Sequence, residues 1–209
     1  MIYPASYNIT ILQNATWKAS LRASQKRKEL ESITTSGASP LFSLYCHDLS
    51  AGDAVIFTTA SIASSGYISI VPEPETRVPC GLDLDTVYYV ISSGLTGGSF
   101  YVSASPSGTA IAASGNAVGT FYVATPVNLS GYTVDADIKS KSDGQQVATF
   151  VCSITNAAEG QFELSMTPAV SSGIEAGSYD YDVSLTSAGG ERYYWLTGTA
   201  TVQRTFSRN

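Results

Sequence analysis

The side chains that nucleophilic catalysis would require are scarce in this sequence. The 209-residue chain contains one histidine, His47, which directly follows Cys46. A catalytic serine or cysteine usually needs a positioned base, most often a histidine. Adjacent residues of an extended strand point to opposite faces, so Cys46 and His47 would not meet if this segment is extended. The sequence therefore predicts no catalytic dyad, and we interpret His47 as a surface residue or one whose hydrogen bonds are satisfied.

Two pairs of aspartates offer carboxyl groups at a spacing of two residues. Asp135 and Asp137 flank one apolar residue, and Asp180 and Asp182 flank one tyrosine. A glycosidase uses two carboxyl groups that flank the scissile bond. Alternation of acidic with apolar residues is instead typical of a strand with one solvated face. We interpret both pairs as solvated strand faces and predict that the protein is not an enzyme.

The residues that could hold a metal or a cofactor are also dispersed. Cys46, Cys80 and Cys152 are odd in number and far apart, whereas a zinc site needs three or four cysteine or histidine ligands at close spacing. Asp83 and Asp85 do not lie in a loop with the ligand spacing of a calcium site. The sequence predicts free thiols, buried or half-buried, and neither a metal nor a cofactor.

Charge and hydropathy limit the classes of partner. The net charge is −6, and only 13% of the residues are charged. Phosphate binding needs clustered lysines and arginines, and the one basic cluster, Lys26 to Lys28, is followed by Glu29 and Glu31. No apolar run approaches the roughly 20 residues of a membrane-spanning helix. Because Met1 to Thr10 lacks the pattern of a signal peptide, we expect assembly in a cytoplasm, without nucleic-acid or membrane partners.

The last third of the chain, Val127 to Asn209, must form the strands that position these side chains. Apolar and polar residues alternate there in four or five runs, which predicts antiparallel strands with one buried face. Turns rich in Gly, Ser and Asp separate the runs, as at Ser142 to Gly144 and Ala188 to Gly190. This spacing predicts a small β-sandwich or a related barrel.

The first two thirds of the chain contain further strands. Tyr7 to Leu12 is predicted as a strand, and Trp17 as a main element of the core that the two ends of the chain form together. The polar segment Ser24 to Leu30 is predicted as a helical turn or a hairpin tip. Ile33 to Pro40 has the composition of a linker, and Leu41 to Thr125 then forms a separate β-rich unit.

Motifs at both ends of the chain carry a resemblance to a known class of protein. The motifs are Tyr7 to Trp17, Leu129 to Thr133, Gly177 to Val183, Trp195 to Val202, and the closing Ser207-Arg208. Together they resemble a β-sandwich module of tailed-bacteriophage virion proteins and are similar to the N-terminal domain of the baseplate upper protein. That family joins its first strand to the Leu-Ser-Gly-Tyr-Thr motif by a short hairpin. About a hundred residues intervene here, which implies an inserted domain.

The intervening residues carry a second resemblance. Their motifs, in order, are Leu49 to Asp53, Pro79 to Leu82, Thr86 to Val90, Phe100 to Ser103, and Ala110-Ile111. They resemble a small β domain of many phage structural proteins, in which no catalytic residues are known. We therefore expect an all-β protein of two small sandwich-like or barrel-like domains. Residues 1–34 and 126–209 would form a discontinuous immunoglobulin-like sandwich, and residues 35–125 an inserted β-rich domain.

The resemblances imply a non-enzymatic structural component of a tailed-phage virion. Such a protein mediates protein–protein assembly in the tail, baseplate or fibre-attachment region. Two alternatives stay open, a capsid decoration (cement) protein and a carbohydrate-binding module for host attachment. A cell-wall-degrading enzyme is disfavoured because no catalytic set is found. The implied partners are other virion proteins and further copies of the chain, in a homo-oligomer assembled into the virion in the host cytoplasm.

Tyrosines and the two termini are the candidate partner contacts. The chain has 13 tyrosines, and each of the doublets Tyr88-Tyr89 and Tyr193-Tyr194 places one ring on each face of its strand. Tyrosine is enriched in interfaces, although ordinary strand propensity accounts for such doublets equally well. Apolar residues also lie near the termini. The predicted contacts are Ile2, Tyr3, Tyr88, Tyr193 and Phe206.

Overall fold

The protein is all-β. The computed structural model describes residues 5–35, 37, 39–58 and 77–205. Within these residues there are seventeen strands and one five-residue helix. In chain order the elements are β1 (Ala5–Ser6), β2 (Ile9–Leu12), β3 (Trp17–Arg22), β4 (Ser24–Glu29), β5 (Ser32–Thr34), β6 (Leu41–Ser43), β7 (Ala54–Thr58), β8 (Val87–Val90), β9 (Ser99–Phe100), β10 (Val102–Ser103), β11 (Tyr122–Pro126), β12 (Thr133–Lys139), β13 (Gln146–Thr149), β14 (Val151–Asn156), β15 (Gln161–Met166), α1 (Pro168–Ser172), β16 (Gly177–Thr186) and β17 (Arg192–Gln203).

The described residues form two compact units. The first, here the sandwich unit, contains residues 5–23 and 127–205, and the second, here the barrel unit, contains residues 24–58 and 77–126. The division falls after Ala23 rather than near residue 34. The reason is that Ser24 to Glu29, expected as a helical turn or hairpin tip, is strand β4 and pairs with β11 of the barrel unit.

The larger sheet of the sandwich unit follows the order β1-β17-β16-β12-β13, with β2 also beside β17. Its central hairpin, β16 and β17, pairs antiparallel over most of its length, whereas β1 and β2 both run parallel to β17. Tyr181, Val183 and Leu185 of β16 are all at most 2% exposed. These three residues alternate with polar residues, as the sequence predicted. The pairing of β16 with β17 shifts in register between Val183 and Ser184.

The smaller sheet of the sandwich unit has the order β14-β15-β3. The chain passes from the larger to the smaller sheet at Phe150, which separates β13 from β14 and is 3% exposed. The Phe150 ring lies 5.2 Å from that of Trp17 and 6.4 Å from that of Tyr181. Trp17, the first residue of β3, is half-buried. Its ring contributes to the core through its contact with Phe150.

The strands of the barrel unit close into a ring. One sheet has the order β10-β8-β7-β11-β4 and the other β5-β6-β9, all antiparallel. The chain continues from β4 into β5 and from β9 into β10, so each outer strand of one sheet leads into an outer strand of the other. At the first junction the Leu30 amide donates to Phe121 O, and the next amide, of Glu31, donates to Ser43 O. The ring therefore consists of six strand positions: β4/β5, β6, β9/β10, β8, β7 and β11.

Aromatic side chains fill this ring. Phe42 stacks on Phe57 with centroids 4.3 Å apart and on Phe100 at 5.4 Å, and all three rings are at most 2% exposed. Fully burying such a side chain stabilises the fold by about 1.5–3 kcal/mol. The aliphatic residues that complete this core are Leu30, Leu44, Val55, Leu82, Val90, Val102, Ala113 and Val123.

Candidate functional site

The contacts of the one histidine involve both the backbone and an aromatic ring. His47 lies outside any strand, directly after a turn at Tyr45 and Cys46 in which Cys46 has a φ of +53°. Its Nδ1 accepts a 3.3 Å hydrogen bond from the Leu49 amide, and its ring contacts the edge of Phe100 with centroids 5.4 Å apart. Its Nε2 is buried without a hydrogen-bond partner among the described residues. The segment is not extended at Cys46, so the condition under which the sequence separated the Cys46 and His47 side chains is not met.

The three cysteines are free and differ in exposure. Cys152 is half-buried on β14, as predicted. Cys46 and Cys80 are exposed, whereas the sequence predicted that they are buried or half-buried. Burial raises the pKa of the Cys152 thiol to about 11, with smaller contributions from the charges of Asp135 and Asp137. In the described part of the chain, no three histidine, cysteine or acidic side chains come together as a metal site would require.

The aspartate pairs lie on the outer face of the larger sheet, where the sequence placed them. Between Asp135 and Asp137, Ala136 is 1% exposed and faces the core. Asp137 lies opposite Asp182 on the neighbouring strand, and Lys139 Nζ is 2.7 Å from Asp182 Oδ2. This hydrogen bond raises the pKa of Lys139, so that its charge persists and offsets the repulsion between the carboxylates. The arrangement is a screened, solvated sheet face.

One predicted tyrosine contact is wrong. Tyr88 is 4% exposed and packs in the barrel core, with its ring centroid 5.9 Å from that of Phe57. Its hydroxyl accepts a 2.9 Å hydrogen bond from the Asp83 amide, and burial raises its pKa. The outer member of this doublet is Tyr89, which is half-buried. The two rings of the doublet do lie on opposite faces of β8. Which of these faces is buried depends on the pairing of β8 with β7 and β10, and the sequence does not specify that pairing.

The second tyrosine doublet is more accessible. Tyr193 is half-buried, and its hydroxyl donates a 2.6 Å hydrogen bond to Glu191 Oε2, which raises its pKa. Tyr194 is 47% exposed, with the guanidinium carbon of Arg192 5.6 Å from its ring centroid. Of the remaining predicted contacts, Ile2, Tyr3 and Phe206 lie outside the described residues. Tyr193 stays a predicted partner contact, and Tyr194 presents the larger free surface.

Two depressions on the barrel unit are chemically neutral. One, of about 440 Å³, is lined by Gly52, Ile91, Ser92, Thr109 and neighbouring small residues. The other, of about 450 Å³, is lined by Ile33, Thr34, Thr35, Asn116 and Ala117. All of their lining residues are uncharged, so neither depression supplies a general acid or base.

Sequence reasoning missed the outer edge of β14. In the described residues this strand pairs only with β15, and Val151 at its start is 61% exposed. The sequence did contain an indication of this edge, since no charged residue and no proline occurs between Gln145 and Ala158. Natural sheets usually carry a charged residue or a proline on an edge strand, which hinders pairing with another chain.

Comparison with known proteins adds no assignment: no protein-family model matches the chain, and no curated protein shows significant sequence similarity to it. No helix in the described ranges is long and apolar enough to cross a membrane.

Proposed function

We propose that the protein is a non-enzymatic structural component of a tailed-phage virion that mediates protein–protein assembly in the tail, baseplate or fibre-attachment region. The observation that carries the proposal is the position of the phage-like motifs in the fold. Leu129 to Thr133 leads into β12, Gly177 to Val183 belongs to β16, and Trp195 to Val202 belongs to β17. These three strands are the antiparallel centre and one flank of one sheet. The motifs thus coincide with a contiguous structural element rather than with scattered loops.

The strand order supports an immunoglobulin-like sandwich for the two ends of the chain. Such sandwiches place their second, fifth and fourth strands in one sheet and their third, sixth and seventh in the other. With β1 and β2 counted together as the first strand, the order β3-β15-β14 faces the order β17-β16-β12 in this arrangement. β13, beside β12, corresponds to the additional strand of the variable type.

A tyrosine at the start of β16 supports the same assignment. The Tyr179 hydroxyl donates a 2.9 Å hydrogen bond to the carbonyl of Glu175, four residues upstream. The segment before it is the corner between β15 and β16, where Thr167 caps α1 and Pro168 occupies its first turn. A tyrosine at this place, bonded back to the preceding backbone, is a hallmark of immunoglobulin-like sandwiches.

The barrel unit fits an insertion between β3 and β12. The chain leaves the sandwich unit after Ala23 and returns to it at Val127, and the Val127 amide donates a 2.9 Å hydrogen bond to the Ala23 carbonyl. Closely spaced ends are what an inserted domain requires of its host. In this proposal the sandwich and the barrel are two assembly modules of the virion, the second nested in the first.

The absence of a catalytic arrangement in the described residues favours assembly over chemistry. His47 Nδ1 accepts a hydrogen bond from the Leu49 amide, the aspartate pairs lie on a solvated face, and the two depressions described above are lined by uncharged residues. Low surface charge and exposed tyrosine suit a protein that contacts neighbours over polar, aromatic surfaces.

Antibody labelling of purified particles in negative stain tests the proposal. We expect label on the tail, baseplate or fibre-attachment region. Label spread over the head would favour the cement-protein alternative. Binding to host glycans by an isolated chain that carries no particle label would favour the carbohydrate-binding alternative. A chain absent from particles would overturn the proposal.

A further inference from the structure

The sandwich unit, unlike the barrel unit, leaves strand edges without a neighbour among the described residues. The larger sheet ends in β13 on one side and in β1 and β2 on the other, and the smaller sheet ends in β14 and β3. An unpaired edge presents backbone donors and acceptors that another strand can pair with, so natural proteins protect edges with short strands, bulges, prolines or charges.

Three of these edges carry such protection. β13 has four residues and a register shift opposite Ile138 and Lys139. The edge of β1 and β2 is divided into pieces of two and four residues. β3 carries Lys18 and Arg22, which form ion pairs with Glu163 at 3.0 Å and with Glu159 at 3.6 Å.

The edge of β14 has the least protection of the four. The strand is six residues long, Val-Cys-Ser-Ile-Thr-Asn, and its register with β15 is regular from Val151 to Ile154 and shifts only near its end, between Ile154 and Asn156. It contains no proline and no charged residue, and three of its six residues are valine, isoleucine or threonine. These features give a segment a strong tendency to pair with another strand.

The burial of β14 also indicates a missing neighbour. On its partner β15, the inward side chains Phe162, Leu164 and Met166 are 1–2% exposed. The inward side chains of β14, Cys152 and Ile154, are only half-buried. A further strand beside β14 would extend the sheet by one position and cover these side chains.

We propose that the β14 edge pairs with the β14 edge of a second copy of this chain, antiparallel and about a two-fold axis. Such a contact is isologous, so one strand supplies both halves. β14 itself contains no charged residue, so an antiparallel pair of two copies of this strand places no like charges directly opposite each other. The inference deepens the proposed assembly role and rests on it for the setting in which the contact forms.

A contact between two six-residue strands is smaller than a standard stable interface. The dimer is therefore concentration-dependent in the isolated chain and is favoured where assembly raises the local concentration. Hydrogen exchange of the full-length chain over a wide range of concentrations measures it directly. When most copies are paired, the amides of β14 should exchange about ten-fold more slowly than in dilute solution, because exchange then requires dissociation or opening. Sedimentation equilibrium over the same range should report a dimer.

Charge substitutions at the middle of the strand identify the surface. Ser153 is exposed and central in β14, where an antiparallel two-fold pair brings the two copies of a residue close together. Ser153→Lys and Ser153→Glu should each weaken the dimer and remove the added protection, because like charges then lie close together across the two-fold axis. An equimolar mixture of the two variants should restore both. Ser172→Lys makes the same change at an exposed position on α1 and should dimerise as the parent does. Thermal unfolding checks that all variants are folded. Ser153→Gly, which weakens strand pairing without a charge, serves as the alternative if both charged variants fail to fold.

Several outcomes would overturn the inference. These are a chain that stays monomeric at every concentration, protection of β14 that does not depend on concentration, and equal loss of the dimer in Ser153→Lys and Ser172→Lys. Protection of β14 that appears only when another virion protein is added would assign the edge to that partner instead. The result is separable from the proposed function: a β14 dimer of a chain absent from particles would defeat only the virion assignment, and a labelled particle whose chain shows no β14 pairing would defeat only this inference.

Discussion

The two units solve the same problem, covering the edges of a sheet, in opposite ways. The barrel unit has the fewer strand residues but passes its chain from one sheet to the other at Leu30 and at Tyr101, so its strands close a ring. The sandwich unit has the longest strands, β16 and β17, yet within the described part of the chain both of its sheets have edge strands without a neighbour. Only a sheet that closes into a ring has no edge strands. From this comparison we expect the barrel unit to fold on its own, and the edges of the sandwich unit are the ones that we propose to be extended by another strand.

The largest expected effect comes from removing the barrel unit altogether. Joining Ala23 to Val127 through a short turn should leave a sandwich that unfolds cooperatively, because a backbone hydrogen bond already holds these two positions together. Circular dichroism and thermal melts measure the outcome. The matching control is the isolated segment 24–126, which should also fold because its ring is closed. A shortened chain that melts without cooperativity would contradict both the independence of the two units and the insertion of the barrel unit in the sandwich unit.

The core of the barrel unit supplies the next largest effect. Phe42 is fully buried between Phe57 and Phe100, so Phe42→Ala should cost about 3–5 kcal/mol of unfolding free energy. Tyr45→Ala, at a ring that is 74% exposed, should cost less than about 0.5 kcal/mol. In denaturant titrations we expect only the transition of the barrel unit to move. Equal destabilisation of the whole chain would show that the units unfold as one.

Thiol reactivity separates the units at the level of single side chains. Cys46 and Cys80 of the barrel unit are exposed, whereas Cys152 of the sandwich unit has a pKa of about 11. Because only the thiolate reacts, Cys152 should be labelled about a hundredfold more slowly than an ordinary thiol at pH 8. A disulfide reagent should count two fast thiols in the native chain and three after denaturation.

The same thiol makes stability depend on pH. Its pKa is higher in the folded chain than the ordinary value of 9.0, so the unfolded chain releases the proton first. The stabilising contribution is complete below pH 9 and is lost as the pH rises from about 9 to 11. Cys152→Ala should flatten this part of the stability profile. An unchanged slope in that variant would contradict the assignment of the shift to Cys152.

A smaller effect is expected where the first strands meet the last. A Cβ at Gly198 would collide with the carbonyl oxygen of Tyr7, which also accepts a 2.8 Å hydrogen bond from the Tyr181 hydroxyl. Gly198→Ala should therefore cost about 1–3 kcal/mol and loosen β1 and β2. Gly97→Ala has open space around its Cβ and should be close to neutral. Urea titration of Gly198→Ala and Gly97→Ala measures both stabilities. Equal unfolding midpoints in the two variants would contradict the close packing inferred at Gly198.

Much of the fold was predictable because it depends on local alternation. The sequence indicated an all-β chain, and the aspartates beside Ala136 and Tyr181 lie on the solvated faces that the period of two requires. The polar strand β4 was not predictable, because Ser-Gln-Lys-Arg-Lys-Glu has no apolar face and becomes a strand only through pairing with β11. Tertiary pairing overrides propensity in such segments.

The candidate contacts depended on information that the local sequence lacks. The Tyr88-Tyr89 doublet predicts that two rings lie on opposite faces of a strand, but not which face is buried. The neighbouring strands bury the face that carries Tyr88. Likewise, the composition of β14 indicates a strand, but only the sheet order shows that one of its sides has no neighbour in the described residues. Edge exposure is a property of topology and not of a window of sequence.

The parallel pairing of β1 and β2 with β17 has a mechanical consequence. If the chain is pulled through the segments that precede β1 and follow β17, the two sides of this ladder are drawn along their length in opposite directions. The bonds from Tyr7 N to Thr197 O and from Gln13 N to Gln203 O, together with the register pairs between them, are then loaded in shear and must rupture together. A hairpin pulled from its open end would instead unzip one bond at a time. Tension along the chain therefore meets its greatest resistance where its first and last strands lie side by side.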